Sequence, residues 1–318
     1  MDDIKIVKYQ KSDYPRFSEF AKKSFHAKYI LGDEKFLDWQ YSRTGVLFLA
    51  KRDEEIIGFF GYKDFPYKVY GETKIVRAVM NLFVDEKYRM AGVGPKLAGA
   101  VLGEGGYILV SSYNEAAQKL YRHFRKNWTE AGDLERFFAA LSPHKLMEGF
   151  HIPHLSPPPF TKEGGKLNIE KITKVSGEFD EFRHKVRAGY PITIERSSEY
   201  LKWRYLTHPF FDYQFLAARR DGKLSGFLIY RFEEVEDFKI ARIIDFVAHE
   251  SVEVSLLREF LERAKNSGAQ AADFMFSGLL YKESLKAAGF FDVFGTDFAK
   301  FPIRSNPLSY SKFVISSR

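Results

Sequence analysis

The chain has no cysteine among its 318 residues. Disulfides, thiolate metal sites and a cysteine nucleophile are therefore excluded. It also has no apolar run near the ~20 residues that a membrane-spanning helix needs. Its start, Met1-Asp2-Asp3-Ile4-Lys5, lacks the basic stretch and apolar core of a signal peptide. A cytoplasmic protein without a membrane partner is the expectation. The 8 His lack ligand spacing with one another, so no metal is expected. No Gly-x-Ser-x-Gly elbow is present, and serine-hydrolase chemistry is not indicated.

What is present describes a globular protein. Hydrophobic residues make up 45% and charged residues 29%, and 32 Phe are enough to fill two cores. The length exceeds what one small core holds, so two domains are expected. The net charge of +7 favours anionic partners. The basic residues are scattered rather than striped, which favours phosphorylated small molecules over nucleic acid; a basic surface without ligand meaning is equally compatible.

The clearest break is FHIPHLSPPPFTKEGGK, residues 150–166, where proline and glycine remove donors and helical geometry. The segments either side of it repeat each other. Ala50, Arg52, Asp53, Gly58 and Phe59 face Ala218, Arg220, Asp221, Gly226 and Phe227 at one offset, and Trp39 faces Trp203 at an offset four residues shorter. The second copy thus carries a short insertion containing His208-Pro209. A Leu-Tyr pair recurs later in each copy, Leu120-Tyr121 and Leu280-Tyr281. Each copy reads as helix, hairpin, strand, helix, strand, helix. That predicts a mixed α/β fold of two tandem domains, 1–150 and 167–318, joined by a linker at 151–166.

The segment VMNLFVDEKYRMAGVGPKLAGAVL, residues 79–102, carries the chemistry. An apolar strand ends in Val84-Asp85, a loop Arg89-Met90-Ala91-Gly92-Val93-Gly94 follows, and a helix opens near Pro95. Pro95 suits a first helical turn, where its missing N–H costs nothing. Gly92 and Gly94 let the backbone approach a ligand, and loop amides with a helix N-terminus suit a pyrophosphate, to which Arg89 and Lys96 add charge.

The pattern R-x-x-G-x-G after such a strand resembles the coenzyme A loop of the GNAT acetyltransferase superfamily. The downstream YILVSSYNEAAQKLYRHF, residues 107–124, resembles that family's next strand, asparagine and helix. The resemblance implies an acyl-CoA-dependent N-acyltransferase, using acetyl-CoA or a longer acyl-CoA. It implies a strand splayed from its neighbour, with backbone groups of Leu82, Phe83 and Val84 pairing with pantetheine. It further implies that Asn114 touches the coenzyme and that Tyr121 protonates the departing thiolate.

Many relatives place a glutamate base on the strand before the loop. Here that strand offers Asn81, expected on the acceptor side, which cannot take a proton. His208 is the first candidate base, and capping of main-chain groups is the competing role for it. The second copy has HESVEVSLLREFL after its strand, with acidic residues where a phosphate would lie. Its coenzyme site is expected to be degenerate and the domain to serve the acceptor. The string YLKWRYLTHP, residues 200–209, resembles sugar N-acyltransferases of bacterial polysaccharide clusters. The resemblance implies a nucleotide-linked amino sugar as acceptor, with Trp203 stacking and Arg204 meeting a phosphate. Two other classes stay open: an aminoacyl-tRNA-dependent peptidyl transferase of the Fem kind, and a non-catalytic coenzyme-binding module.

Overall fold

Strand alternation and turn chemistry set up the first sheet. β1 (Ile4–Lys8) is followed by the helices α1 (Tyr14–Ser24) and α2 (Glu34–Gln40). A proline in its first turn starts α1, and Phe17 and Ala21, four residues apart, bury one face. The Asp33 carboxylate caps α2, accepting from the Lys35 and Phe36 amides at 2.9 and 3.2 Å. Then come β2 (Gly45–Arg52), β3 (Glu55–Val69) and β4 (Glu72–Val84), the helix α3 (Val93–Leu102), β5 (Tyr107–Ser111), α4 (Glu115–Phe124), β6 (Trp128–Asp133), β7 (Glu135–Ala140) and α5 (Pro143–Phe150).

The second half runs through β8 (Leu167–Ile172), α6 (Glu178–Val186), β9 (Ile192–Ile194), α7 (Ser198–Leu201), β10 (Gln214–Arg220), β11 (Lys223–Val235), β12 (Phe238–Ala248), α8 (Glu250–Asn266), β13 (Ala271–Phe276), α9 (Lys282–Ala288), β14 (Phe291–Asp292) and β15 (Lys312–Ser316). This computed structural model describes residues 4–25, 30–103, 106–111, 113–124, 128–150, 156, 158, 167–186, 191–235, 237–278, 280–293 and 312–316. Apart from Ser156 and Pro158, the expected linker lies outside the described residues.

The two sheets repeat one topology. The first has the order β1-β2-β3-β4-β5-β15-β6, with β9 added along the far end of β3; the second has β8-β10-β11-β12-β13-β7-β14. In each, the fourth and fifth strands are parallel and every other neighbour along that order is antiparallel. The mixed α/β fold with a repeated unit thus agrees with the sequence. The sixth strand of each sheet comes from the other half of the chain: β7 lies beside β13, and β15 beside β5. The boundary at residue 150 therefore falls between halves that exchange a strand.

Helices cover both faces of each sheet. α3 and α4 close one core of the first sheet around Val93, Leu97 and Tyr121, and α1 and α2 close the other around Phe17, Leu37 and Phe59. In the second sheet α8 and α9 cover one face, while α6 and α7 cover the other. One repeated element differs from the sequence expectation. Leu120-Tyr121 lies inside α4, whereas Leu280-Tyr281 precedes α9, with Tyr281 as its left-handed N-cap. These two pairs are not equivalent in the fold.

Candidate active site

The site begins where β4 leaves its parallel neighbour. β4 and β5 pair at Val76, Arg77 and Ala78 and no further, while β4 stays paired with β3 out to Val84. The edge of β4 from Val79 to Val84 is therefore open toward β5, the splay that the sequence resemblance implies. Asn81 sits at a register shift in the β3–β4 ladder with φ 59°. Asparagine tolerates that left-handed conformation better than most residues. The Asn81 side-chain amide donates to the Tyr41 hydroxyl at 3.0 Å, which ties the bulge to the end of α2.

Past the bulge, Leu82 and Val84 pack toward the α3 core and Phe83 toward the α1 core. Their side chains hold the strand from both faces and leave its backbone edge to the seam. At the end of β4 the Asp85 amide donates to the Ile57 carbonyl at 2.9 Å, and a short 3-10 turn, Glu86–Ala91, leads to Gly92.

Gly92 has φ 73° and ψ 15° and is the N-cap of α3, with no side chain capping that helix. Val93, fully buried, anchors the first turn. Pro95 has no N–H, and the first main-chain bond back to the cap is Lys96 to the Gly92 carbonyl at 3.2 Å. The Val93 and Gly94 amides therefore lead the helix as donors at its positive end, a site suited to an anion. Arg89 makes an exposed ion pair with Glu86 at 3.0 Å, and Lys96 reaches the Ile4 carbonyl at 3.5 Å. Exposed contacts of this kind hold such cations only weakly. Met90 is fully solvent-exposed.

Across the seam, Asn114 caps α4: its side-chain oxygen accepts from the Ala117 amide at 2.9 Å. Tyr121 is buried, its ring stacked on Phe60 at 6.2 Å and edge-on to Tyr113 at 6.4 Å. Burial raises its pKa, so the hydroxyl stays protonated throughout the neutral range.

Of the residues expected on the acceptor side, Trp203, Arg204 and His208 lie together between the two halves, while Asn81 stays at the β4 bulge. The Trp203 ring stacks on Trp39 at 4.9 Å, and the Lys63 ammonium lies 4.4 Å from its centroid. Trp203 is thus engaged in the contact between repeats. Arg204 is half-buried among aromatic rings, 5.6 Å from the Trp39 centroid, and donates to the Tyr213 hydroxyl at 3.4 Å. No carboxylate pairs with it among the described residues. The His208 ring lies against Trp39 and Phe211, and its Nδ1 accepts from the Phe210 and Phe211 amides, both at 3.1 Å. Burial, then the charges of Arg204 and Arg231, lower its pKa to about 4. The imidazole is neutral, and its acceptor nitrogen is engaged in holding the loop.

Sequence reasoning missed Lys63. It is buried, donates to the Gln40 and Ser42 carbonyls at 3.2 and 2.5 Å, and has its pKa lowered to about 8 by burial and then by Arg43. A single lysine in an alternating strand gave no signal. Among the described residues no three His, Asp or Glu side chains gather as a metal site would require.

The equivalent seam of the second sheet is also open. β12 and β13 pair from Ile240 to Ile243 and no further. Its helix α8 starts at His249 with Glu250 and Glu253 in the first turn, so carboxylates stand where a phosphate would lie.

Residues 9–124 match the sequence model of the acetyltransferase (GNAT) family. No curated protein matches the chain. Among solved structures, a GCN5-related N-acetyltransferase from Anabaena variabilis is similar, with a TM-score of 0.66 and 15% identity, over 98% of this chain and 72% of that one. A probable N-acyltransferase from Enterococcus faecalis superposes with a TM-score of 0.62 at 10% identity, over 100% and 71% of the two chains. The Saccharomyces cerevisiae N-myristoyltransferase with bound myristoyl-CoA gives 0.61 at 9%, over 99% and 83%. At these identities the likeness is one of fold. Residues 9–124 thus match the sequence model of the acetyltransferase (GNAT) family, and the whole chain shares its fold with these structures.

Proposed function

We propose that the chain transfers an acyl group from acyl-CoA to a primary amine, with the coenzyme held in the β4–β5 seam. The observation that carries this reading is the open edge of β4 running straight into the uncapped N-terminus of α3. Pantetheine amides pair along residues 82–84 as an added strand would, and the pyrophosphate meets the Val93 and Gly94 amides. Arg89 and Lys96 turn from their surface contacts toward the phosphates.

In the transfer, the amine lone pair attacks the thioester carbonyl carbon. A C–N bond forms, the C–S bond breaks with its electron pair on sulfur, and the proton lost from nitrogen balances the one gained by the thiolate. Tyr121 donates to the sulfur, a role that its protonated hydroxyl permits. His208 as the base would first have to release two amides from Nδ1, so its geometry favours positioning the loop. The sequence resemblance implies a nucleotide-linked amino sugar as acceptor, for which Arg204 offers a half-buried guanidinium among aromatic rings, while the largely apolar cavity between the sheets favours an amphipathic amine over it.

Incubating the protein with acetyl-CoA and longer acyl-CoAs against amino sugars, simple amines and peptides, and following thiol release, tests the reading. Amine-dependent thiol release is the expected result. Coenzyme binding without transfer to any amine would leave a binding module instead.

A further inference from the structure

A cavity of about 420 Å3 lies between the two sheets. One wall is the open seam of the second sheet, residues 244–247 of β12 and 274–277 around the end of β13. The opposite wall is the first sheet, through Tyr67 on β3 and Leu109 on β5. Leu109 pairs with Ala78, the last rung before the coenzyme seam opens. The cavity therefore joins the degenerate seam to the apex of the intact one. Its volume is that of a small-ligand pocket (~300–1,000 Å3).

Two kinds of surface meet in it. Ile192, Ile194, Ile244, Phe274 and Phe276 give it an apolar body. Polar atoms without partners look for a ligand there. The half-buried Tyr67 hydroxyl has no hydrogen-bond partner among the described residues, and burial raises its pKa, so it stays a donor. Arg183 also lines the cavity. Its Nη1 donates to Glu195 at 2.8 Å, but its buried Nε has no hydrogen bond, with an Asp180 carboxylate oxygen 3.7 Å away. The other charged groups are already matched. Arg196 donates to Asp245 at 2.8 Å, and the Tyr205 hydroxyl adds a bond to the same carboxylate at 3.1 Å. An orphaned buried donor carries a desolvation cost that a ligand oxygen would remove.

We infer that this cavity is the acceptor chamber, taking an amphipathic primary amine. Its apolar body lies in the second seam, and its amino group emerges beside Leu109 at the coenzyme seam. The assignment rests on the acyl-transfer reading above. It explains why a repeat with carboxylates at its own phosphate position keeps an open seam: the opening holds the second substrate. Hydroxyl or amide oxygens on the acceptor meet Tyr67 and Arg183. A phosphate-rich acceptor fits the lining poorly, because the cations here already have carboxylate partners.

The test uses the full chain, acetyl-CoA and longer acyl-CoAs, L-phenylalaninamide as an amphipathic amine and a nucleotide-linked amino sugar for comparison. The wild type is expected to use the amide with kcat/KM on the order of tenfold or more above the sugar. Ser277→Phe, which fills the cavity from its rim, should raise KM for the amide tenfold or more with coenzyme A affinity unchanged. Tyr67→Phe, which removes one hydroxyl, should raise it a few-fold. Coenzyme affinity also reports that both variants are folded. An unchanged KM for the amide in Ser277→Phe overturns the assignment. So does a shift in acyl-chain preference in place of the amine KM, which would make the cavity an acyl pocket. Preference for the sugar overturns the acceptor class. Failure of the wild type to bind coenzyme A would instead overturn the underlying reading, and this one with it.

Discussion

Trp39 and Trp203 stack face to face, 4.9 Å between centroids and 13° between planes, and each donates its indole N–H to the other's main-chain carbonyl, at 2.9 and 3.2 Å. The two residues are equivalent positions of the repeat, so the contact is self-complementary, as one across a two-fold axis is. Truncating either ring removes that ring's own indole donor, so the partner's main-chain carbonyl loses this bond, and it leaves an unfilled space. Trp39→Ala and Trp203→Ala should each cost about 3 kcal/mol, the lower end for tryptophan because both rings are half-exposed. The double variant should cost less than the sum by about 0.5–3 kcal/mol. Urea unfolding of the four proteins checks this, and strict additivity would show that the rings act independently.

Acid should loosen the same region. The unfolded His208 imidazole titrates near its usual 6.5 and the folded one near 4. Between those values the unfolded state binds the extra proton, so stability falls as pH drops from about 6.5 toward 4. His208→Asn keeps a side-chain oxygen for the Phe210 and Phe211 amides and does not titrate. Its unfolding midpoint, compared with wild type at pH 7 and pH 5, should fall less on acidification. An equal fall in both proteins would place the acid sensitivity elsewhere.

Much of this was legible because equivalent positions share a geometric need. Asp53 and Asp221, matched in the sequence, both take left-handed turn conformations, with φ 53° and 50°. Gly58 and Gly226 are both pinned by close approach: a Cβ there would lie 2.9 Å from the Phe83 carbonyl oxygen in one case and 2.8 Å from the Ala248 Cβ in the other. Constraints of this kind preserve residue type, and so the repeat shows. The glycine turn before α3 was visible for the same reason, since Gly92 is left-handed.

The exchange of β7 and β15 was not visible, because pairing between distant strands leaves no local pattern. Nor could spacing reveal that His208 and Trp203 pack against Trp39, since the contact spans 164 residues for the tryptophan pair. The cavity was hidden too: Tyr67, Leu109, Arg183 and Ile244 meet only through the fold. Leu280-Tyr281 shows the opposite failure, a short match that the fold does not honour.

The donor role proposed for Tyr121 can be tested apart from binding. Tyr121→Phe keeps the ring on Phe60 and removes only the hydroxyl. Turnover should fall on the order of tenfold or more, about 1.4 kcal/mol of transition-state stabilisation, with acyl-CoA affinity little changed. Unchanged turnover would mean that the thiolate leaves unassisted.

The central claim is that the seam of the first sheet and the N-terminus of α3 hold the coenzyme. Titration calorimetry with coenzyme A on Gly92→Asp and Gly92→Asn tests it most directly. Among the described residues, its two chain neighbours aside, no atom lies within 4 Å of a Cβ built at Gly92, so both side chains fit, and both bear the same left-handed strain, which asparagine and aspartate tolerate better than most residues. Only aspartate adds a negative charge where the phosphates would sit. Gly92→Asn is expected to bind coenzyme A within a few-fold of wild type, and Gly92→Asp to lose binding. Equal affinity in all three proteins would contradict the account.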